Sequence, residues 1–448
     1  MTSATGGMTH VGSDRVASGA RTGTVLQPID GFGNAFSPGL PYARGAILNS
    51  GEAEFLKLAE ARRHIRQRVL NGGRERIFDI SGLERGMPPG DQDLYSDELS
   101  SAVHWQRVHE LGLAHLGGNA TAHDILICNR QSAALFAALM VMVTPSSTVV
   151  GFSPSYSHPA VTRPVRFLGA RFVDTNTIGD FEVAVGEVGG PVVAVLTRLP
   201  VSYAGVMSFD DLQTAIALCQ RRGIPILVDD AGGARVAPAV FGQPRSLQLG
   251  VDVATTGLDK YGTIGPRLGL MGGRRDLVAA ITTTAFQYGL EARPMLYAAV
   301  IRSLDQYDEA RVRDLTTSTQ LFGEALHARL GSSVTQTPIA VKIEADNLLA
   351  LVLARSGEAV PPIVPYEATA AVAMLLLRDY GMLTVHFAGV PPGTAALLFK
   401  FTPPEVLDRL GGVTKIAGFV DAAIDQVAEM LGDPDAIREL LVGGGTSD

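Results

Sequence analysis

Apolar positions along this chain fall into runs of two kinds. Between Asp124 and Gly272, short apolar stretches alternate with longer segments of helical pattern. The stretches are DILIC (Asp124–Cys128), TVVGF (Thr148–Phe152), RFVDT (Arg171–Thr175), VVAVLT (Val192–Thr197), ILVDD (Ile226–Asp230), DVATT (Asp252–Thr256) and LGLMG (Leu268–Gly272). Runs this short and this rich in Val, Ile and Leu predict strands, and segments long enough for a crossover helix separate them. That pattern predicts a mostly parallel sheet covered on both faces. One connecting helix is plain. FDDLQTAIALCQRR (Phe209–Arg222) opens on two aspartates and closes on two arginines before Gly223, the charge order a helix dipole favours. The longest apolar run, Ser132–Val143, falls short of the roughly 20 residues a bilayer span takes and predicts a buried helix.

After about Asp305 the pattern changes. A helix over Glu309–Leu330 leads into strand-like AVKIEA (Ala340–Ala345) and NLLALVLA (Asn347–Ala354). A helical segment over Tyr366–Tyr380 follows, then strand-like TVHFA (Thr384–Ala388) and ALLFKF (Ala396–Phe401), and a closing helix over Val413–Leu431. The expected architecture is α/β, with a three-layer large domain over residues 83–304 and a smaller α+β domain over 305–448. Residues 1–82 are expected to add an arm and a helix to the smaller one. The first 23 residues carry Gly, Ser and Thr but no apolar stretch of the secretory type, and read as a mobile arm.

Composition narrows the function. A chain of 448 residues has the length of two or three domains, and 46% hydrophobic content is enough to bury a large core. Lys and Arg total 37 against 45 Asp and Glu, for a net charge of −8. A chain built to grip a nucleic-acid backbone carries a basic excess, so nucleic acid is not the expected partner, and neither is a membrane. Two cysteines exclude a disulfide framework and a four-thiolate zinc site, and suit the cytoplasm. His104 and His109 are five apart and diverge by roughly 140° on a helix, so no zincin pair forms and no metal site is expected. GFGNAF near Gly31 lacks both a preceding strand and the third glycine of a dinucleotide fingerprint. No P-loop or nucleophile elbow occurs.

Ligands of open parallel sheets sit at the carboxyl ends of strands. At the end of ILVDD stands Asp229, followed by Asp230 and Ala231. At the end of DVATT stand Thr255 and Thr256, followed by Asp259 and Lys260, which lies 31 positions after Asp229. The chain has only five lysines, Lys57, Lys260, Lys342, Lys400 and Lys415. A rim lysine beside an aspartate-bearing strand end suggests a Schiff base to pyridoxal 5'-phosphate, with the aspartate keeping the pyridine nitrogen protonated. The plainer alternative pairs Lys260 with Asp259 and makes Asp229 a helix cap. A phosphate needs N–H groups at a helix start. Asn129, Arg130, Gln131 and Ser132 supply a strand end, a polar turn and a helix, or merely an N-cap. Tyr156 or His158, in SPSYSHP, could cover a ring face or form a surface turn.

These stretches carry a resemblance. VDDAGGARV (Val228–Val236), TTGLDKYGTIGPRLGLMGG (Thr255–Gly273) and FQYGLEARP (Phe286–Pro294) resemble the selenocysteine-synthase-like branch of the fold type I pyridoxal phosphate enzymes. Within it, the archaeal selenocysteine-synthase-like proteins of uncertain function are most alike. DISGLERG (Asp79–Gly86), ICNRQSAAL (Ile127–Leu135) and SPSYSHPAV (Ser153–Val161) fit the same pattern. The resemblance implies Lys260 as Schiff-base lysine and Asp229 as partner of the pyridine nitrogen. It implies Ala231 against the ring, Thr256 in the cofactor site, Asn129–Ser132 as phosphate loop, Tyr156 or His158 as stacking group, and Ser202 near the cofactor's 3′-oxygen.

The resemblance is looser at the substrate. Many fold type I enzymes hold the substrate carboxylate with an arginine on a late strand, where this chain has Lys400 in LLFKF; Arg267 and Arg293 are the alternative anion binders. A point charge replaces a planar fork there. The resemblance implies a homodimer acting on a small amino-acid-like substrate through an external aldimine and a Cα carbanion. Lys260 would move the Cα proton. Elimination or replacement at Cβ is expected, with aminotransfer as one alternative and a non-catalytic binding protein as another.

Overall fold

The structure, a computed structural model, describes residues 28–443 except 84, 85, 87–89, 91–95, 188, 189, 191 and 390–392. The expected N-terminal arm, and Glu84 and Arg85 of the DISGLERG stretch, lie outside the described residues. Twelve strands are present among them: β1 (Phe78–Asp79), β2 (His123–Cys128), β3 (Thr148–Phe152), β4 (Arg171–Thr175), β5 (Val193–Thr197), β6 (Ile226–Asp229), β7 (Val253–Gly257), β8 (Gly269–Arg274), β9 (Val334–Thr337), β10 (Ala340–Ile343), β11 (Met382–Leu383) and β12 (Leu397–Lys400).

Seven of these strands form one sheet in the order β2-β8-β7-β6-β5-β3-β4. Strands β7, β6, β5, β3 and β4 pair in parallel. Strand β8 is antiparallel to both of its neighbours, so β2 runs with the parallel set. The physical signature of burial on both faces is in the side chains. Ile125, Ile127, Val150, Phe152, Ala194, Leu196 and Val228 belong to one core. Their alternates Leu126, Val149, Val193, Val195, Leu227 and Val253 belong to another. The helices Asp97–Leu116, Phe209–Arg222 and Tyr297–Asp305 cover the first face, while Gln131–Met142, Pro159–Phe167 and Arg275–Gln287 cover the second. The expected three-layer α/β architecture is therefore present.

The smaller α+β part is built on the antiparallel sheet β12-β10-β9. Its centre is the helix Pro365–Tyr380, buried on every side from Pro365 to Leu377, as a helix apolar all round must be. The N-terminal helix Gly51–Gly72 and the helices Ala345–Ser356, Val413–Met430 and Pro434–Val442 surround it. The carboxylate of Glu367, fully buried, accepts the backbone N–H groups of Ile47 (2.6 Å) and Leu48 (2.7 Å). This tie places the segment before residue 83 against the C-terminal elements.

Two strand expectations fail. NLLALVLA lies in the helix Ala345–Ser356, which buries Leu348, Leu349 and Val352 on one face. A short apolar run suits either element when periodicity alone is read, and this Leu- and Ala-rich one packs as a helix. Most of TVHFA is a short 3-10 turn, Val385–Phe387, preceded by the two-residue β11 that pairs in parallel with β1. Inside it the His386 ring is fully buried and its Nε2 bonds the Ala396 carbonyl at 3.2 Å.

Candidate active site

The carboxyl ends of β2, β3, β5, β6 and β7 share one rim, which puts Asp229 opposite Thr197 on one side and Thr255 on the other. Above the rim lies a cavity of about 730 Å³. On the large-domain side its walls include Arg130, Gln131, Ser132, His158, Arg163, Thr197, Tyr203, Asp229, Ala231, Asp259, Lys260 and Arg267; across from them stand Val385, Ala388, Leu398 and Lys400. The two residues separated by 31 positions in the chain thus line one space.

Lys260 is held there by its surroundings. Its ammonium donates to Asp259 Oδ1 at 3.1 Å. Gly257 makes room for it: a methyl group at that position would stand 3.0 Å from Lys260 Cε and 3.2 Å from Nζ. The fully buried Arg235 fixes the backbone around the lysine, donating to the carbonyls of Leu258 and Lys260 and to Thr263 Oγ1.

Asp229 is 3% exposed, and burial, reinforced by the neighbouring Asp230, pushes its carboxyl up to about 7. Three contacts oppose that rise: the Ala231 N–H, the Lys260 charge and the Gln131 amide, which donates to Oδ1 at 2.7 Å. Asp230 faces away into the protein, paired with Arg198 at 3.2 Å with both side chains fully buried. His158 caps the helix Pro159–Phe167, its Nδ1 accepting the Ala160 N–H at 2.9 Å. Burial, with the Lys260 and Arg163 charges, holds the imidazole down at about 4. At neutral pH the ring is uncharged, with its hydrogen on Nε2.

The structure brings Lys260, Asp229, Ala231, Arg130, Gln131, Ser132, His158, Arg267 and Lys400 around one cavity. Asn129, Tyr156, Ser202, Thr256 and Arg293 are not among the residues lining it. The Asn129 amide donates to the Gly289 carbonyl. The Tyr156 hydroxyl is spent on the Gly393 carbonyl. Thr256 Oγ1 donates to Ala231 O at 2.8 Å, a backbone brace one layer below the rim. The carbonyl of Ser202 accepts from Lys342, and the buried Ser202 hydroxyl has no partner among the described residues. Arg293 is exposed and paired with Asp97. Of the two stacking candidates, the ring that faces the cavity is that of His158. Sequence reasoning missed Thr197, Arg163 and Tyr203. Thr197 carried a signal, since it closes the VVAVLT strand at the same rim; the other two stand on a helix and a turn whose orientation no local pattern reveals.

The chain is 31% identical over 397 residues to the UPF0425 pyridoxal phosphate-dependent protein of Methanothermobacter thermautotrophicus, an alignment covering 87% of this chain and 98% of that one. The chain belongs to the UPF0425 family of pyridoxal phosphate-dependent proteins. It is also 29% identical over 237 residues to the L-seryl-tRNA(Sec) selenium transferase of Moorella thermoacetica, across 48% of this chain and 49% of the relative. In fold it is similar to an alanine–glyoxylate aminotransferase from Nostoc sp., with a TM-score of 0.50 at 15% identity, over 78% of this chain and 96% of that one. No family model matches it.

Pyridoxal phosphate is accordingly the cofactor, and the cavity fits it. Thr197 Oγ1, buried beside Asp229, has no hydrogen-bond partner among the described residues. A flat heterocycle over the rim would meet this orphan hydroxyl, the Asp229 carboxyl and the Lys260 amine together. Arg130 and Ser132, at the start of the helix Gln131–Met142, present a cation, a hydroxyl and N–H groups suited to a phosphate ester.

Proposed function

We propose that this chain is a pyridoxal phosphate-dependent lyase or transferase that deprotonates a small amino-acid-like substrate at Cα and then eliminates or replaces the substituent at Cβ. The observation that carries the reading is Lys260 and Asp229 facing one cavity. The chain's likeness to a selenium transferase named for a seryl substrate favours chemistry at Cβ. The bound cofactor supplies the electron sink for the Cα carbanion.

The chain's own groups do the rest. Lys260 Nζ, kept in place by Asp259 and by the gap at Gly257, takes the Cα proton. Asp229, in a site that disfavours a lone carboxylate, keeps its proton shared with a ring nitrogen and so holds that nitrogen cationic. The neutral His158 ring would face the heterocycle with no charge to compete with that cation, and Ala231 would offer it little bulk. Arg130, Gln131 and Ser132 bind the phosphate end. A second copy of the chain is the expected partner, to be checked by sedimentation velocity.

The test mixes the loaded protein with an excess of L-serine, L-cysteine or O-acetyl-L-serine, with a thiol present. Release of a keto acid and ammonia, or thiol exchange at Cβ, is the expected result. Turnover that stops after one equivalent until a keto acid is added would overturn it in favour of aminotransfer.

A further inference from the structure

We propose that Tyr203 is the group that reads the substrate carboxylate, with its hydroxyl hydrogen aimed into the cavity and Lys400 polarising it from behind. The proposal rests on the function reading above, because it needs an amino-acid substrate in that cavity.

The hydrogens of this buried cluster can be counted. Lys400 closes β12 and is 1% exposed; its ammonium donates to the hydroxyl of Tyr203 at 2.8 Å and to that of Tyr261 at 2.9 Å. The two hydroxyls are 3.0 Å apart, and geometry alone leaves either as donor. A phenol has one hydrogen and two lone pairs, and an ammonium accepts nothing. Tyr261 is 1% exposed and is not among the residues lining the cavity. Among the described residues, the one acceptor within its reach is Tyr203, so the hydrogen of Tyr261 must go there. The reverse order would bury an unused donor, which proteins avoid. Tyr203 then receives two hydrogens, from Lys400 and from Tyr261, and its own hydrogen has no acceptor among the described residues. Tyr203 lines the cavity.

The backbone is built around this arrangement. Tyr203 and Phe401 are two of three described non-glycine residues with positive φ, at 53° and 47°. Such strain persists where the surroundings over-determine a geometry, and it collects at functional sites. Here the Tyr203 N–H is bonded to Pro200 O at 3.0 Å, and its carbonyl accepts from Thr337 Oγ1 at 2.7 Å. The Phe401 ring stacks on Tyr261 at 3.7 Å. A hydroxyl that accepts from a buried ammonium is a strengthened donor, and the group it suits is an anionic oxygen. Lys400 is thus a positioning residue: its charge reaches the substrate through Tyr203 in place of a bidentate arginine.

The experiment measures dissociation constants on the cofactor-loaded chain, from perturbation of the visible band, for L-alanine against ethylamine and L-serine against ethanolamine. Each amine lacks only the carboxylate and reports that the variant is folded and loaded. Tyr203→Phe is expected to weaken both amino acids about 10- to 100-fold, the scale of one hydrogen bond to a charged group, and to leave both amines unchanged. Lys400→Met is the second variant and is expected to show the same selective loss, with no further loss in the double variant. Equal loss for amino acid and amine would assign the hydrogen to the cofactor's own oxygen and overturn the proposal. So would no loss in either. A wild-type chain with no visible band fails at the function reading itself, which is a separate result.

Discussion

Asp229 offers a measurement that isolates one buried group. In the cofactor-free chain its carboxyl titrates at about 7 against an ordinary 3.8. Between those values the native state holds a proton that the unfolded chain has released, so stability falls as pH rises through the window and levels off above it. At 1.36 kcal/mol per decade, the loss contributed by this single carboxyl is at most about 4 kcal/mol. Buried histidines act in the opposite sense. His158, held at about 4, and His386, held at about 3, must charge on unfolding, so their contribution grows as pH rises toward 6.5. The difference between the wild type and Asp229→Asn cancels them. Trp105, the only tryptophan, packs against the large-sheet core and reports its unfolding by fluorescence. Denaturant melts of both cofactor-free proteins from pH 4.5 to 8.5 should show the variant gaining on the wild type by up to about 3 kcal/mol as pH rises, the part of the window above pH 4.5. A flat difference curve would refute the claim that the site strains a bare carboxylate, and with it the reason this carboxyl welcomes a ring cation.

Further outcomes follow from the same geometry. A methyl group at Gly257→Ala meets first the Asp259 carboxylate and the end of the Lys260 side chain, so the melting temperature should hold within a few degrees while turnover falls about 100-fold, the scale of an ångström's misplacement; unchanged turnover counts against the placement of Lys260. The imidazole signal of His158 should show no titration by NMR from pH 5.5 to 8, and an inflection near 6.5 would contradict its burial. Arg198→Met strands Asp230 in the interior and should cost about 3–5 kcal/mol, with much of it recovered when Asp230→Asn is added.

Much of the large domain is legible in the chain because burial on both faces leaves its mark on the inner strands: TVVGF coincides with β3 to the residue, and RFVDT with the half-exposed edge strand β4. The direction of β8 is not legible, since a strand's composition says nothing of which way it runs. NLLALVLA misleads because Leu and Ala satisfy a buried helix as well as a strand, and only packing against the helix Pro365–Tyr380 decides. At the site, Asp229 and Lys260 stand out because a strand end exposes its next residues to the rim. Which of Tyr156 and His158 the turn directs toward the cavity is not legible: the tyrosine's hydroxyl bonds Gly393, 237 residues later in the chain, and His158 lines the cavity. Lys400 is visible as a substituted arginine, whereas its two tyrosines emerge only when β12 is laid against the rim.

The central claim is that one particular lysine of five carries the cofactor. Reconstituting the chain with pyridoxal phosphate, reducing it with borohydride and mapping the modified peptide by mass spectrometry addresses this directly, with Lys260→Ala as control. The account predicts a visible band that reduction bleaches, one modified peptide containing Lys260, and neither in the variant. Modification at Lys57, Lys342, Lys400 or Lys415, or an undiminished band in Lys260→Ala, would contradict it.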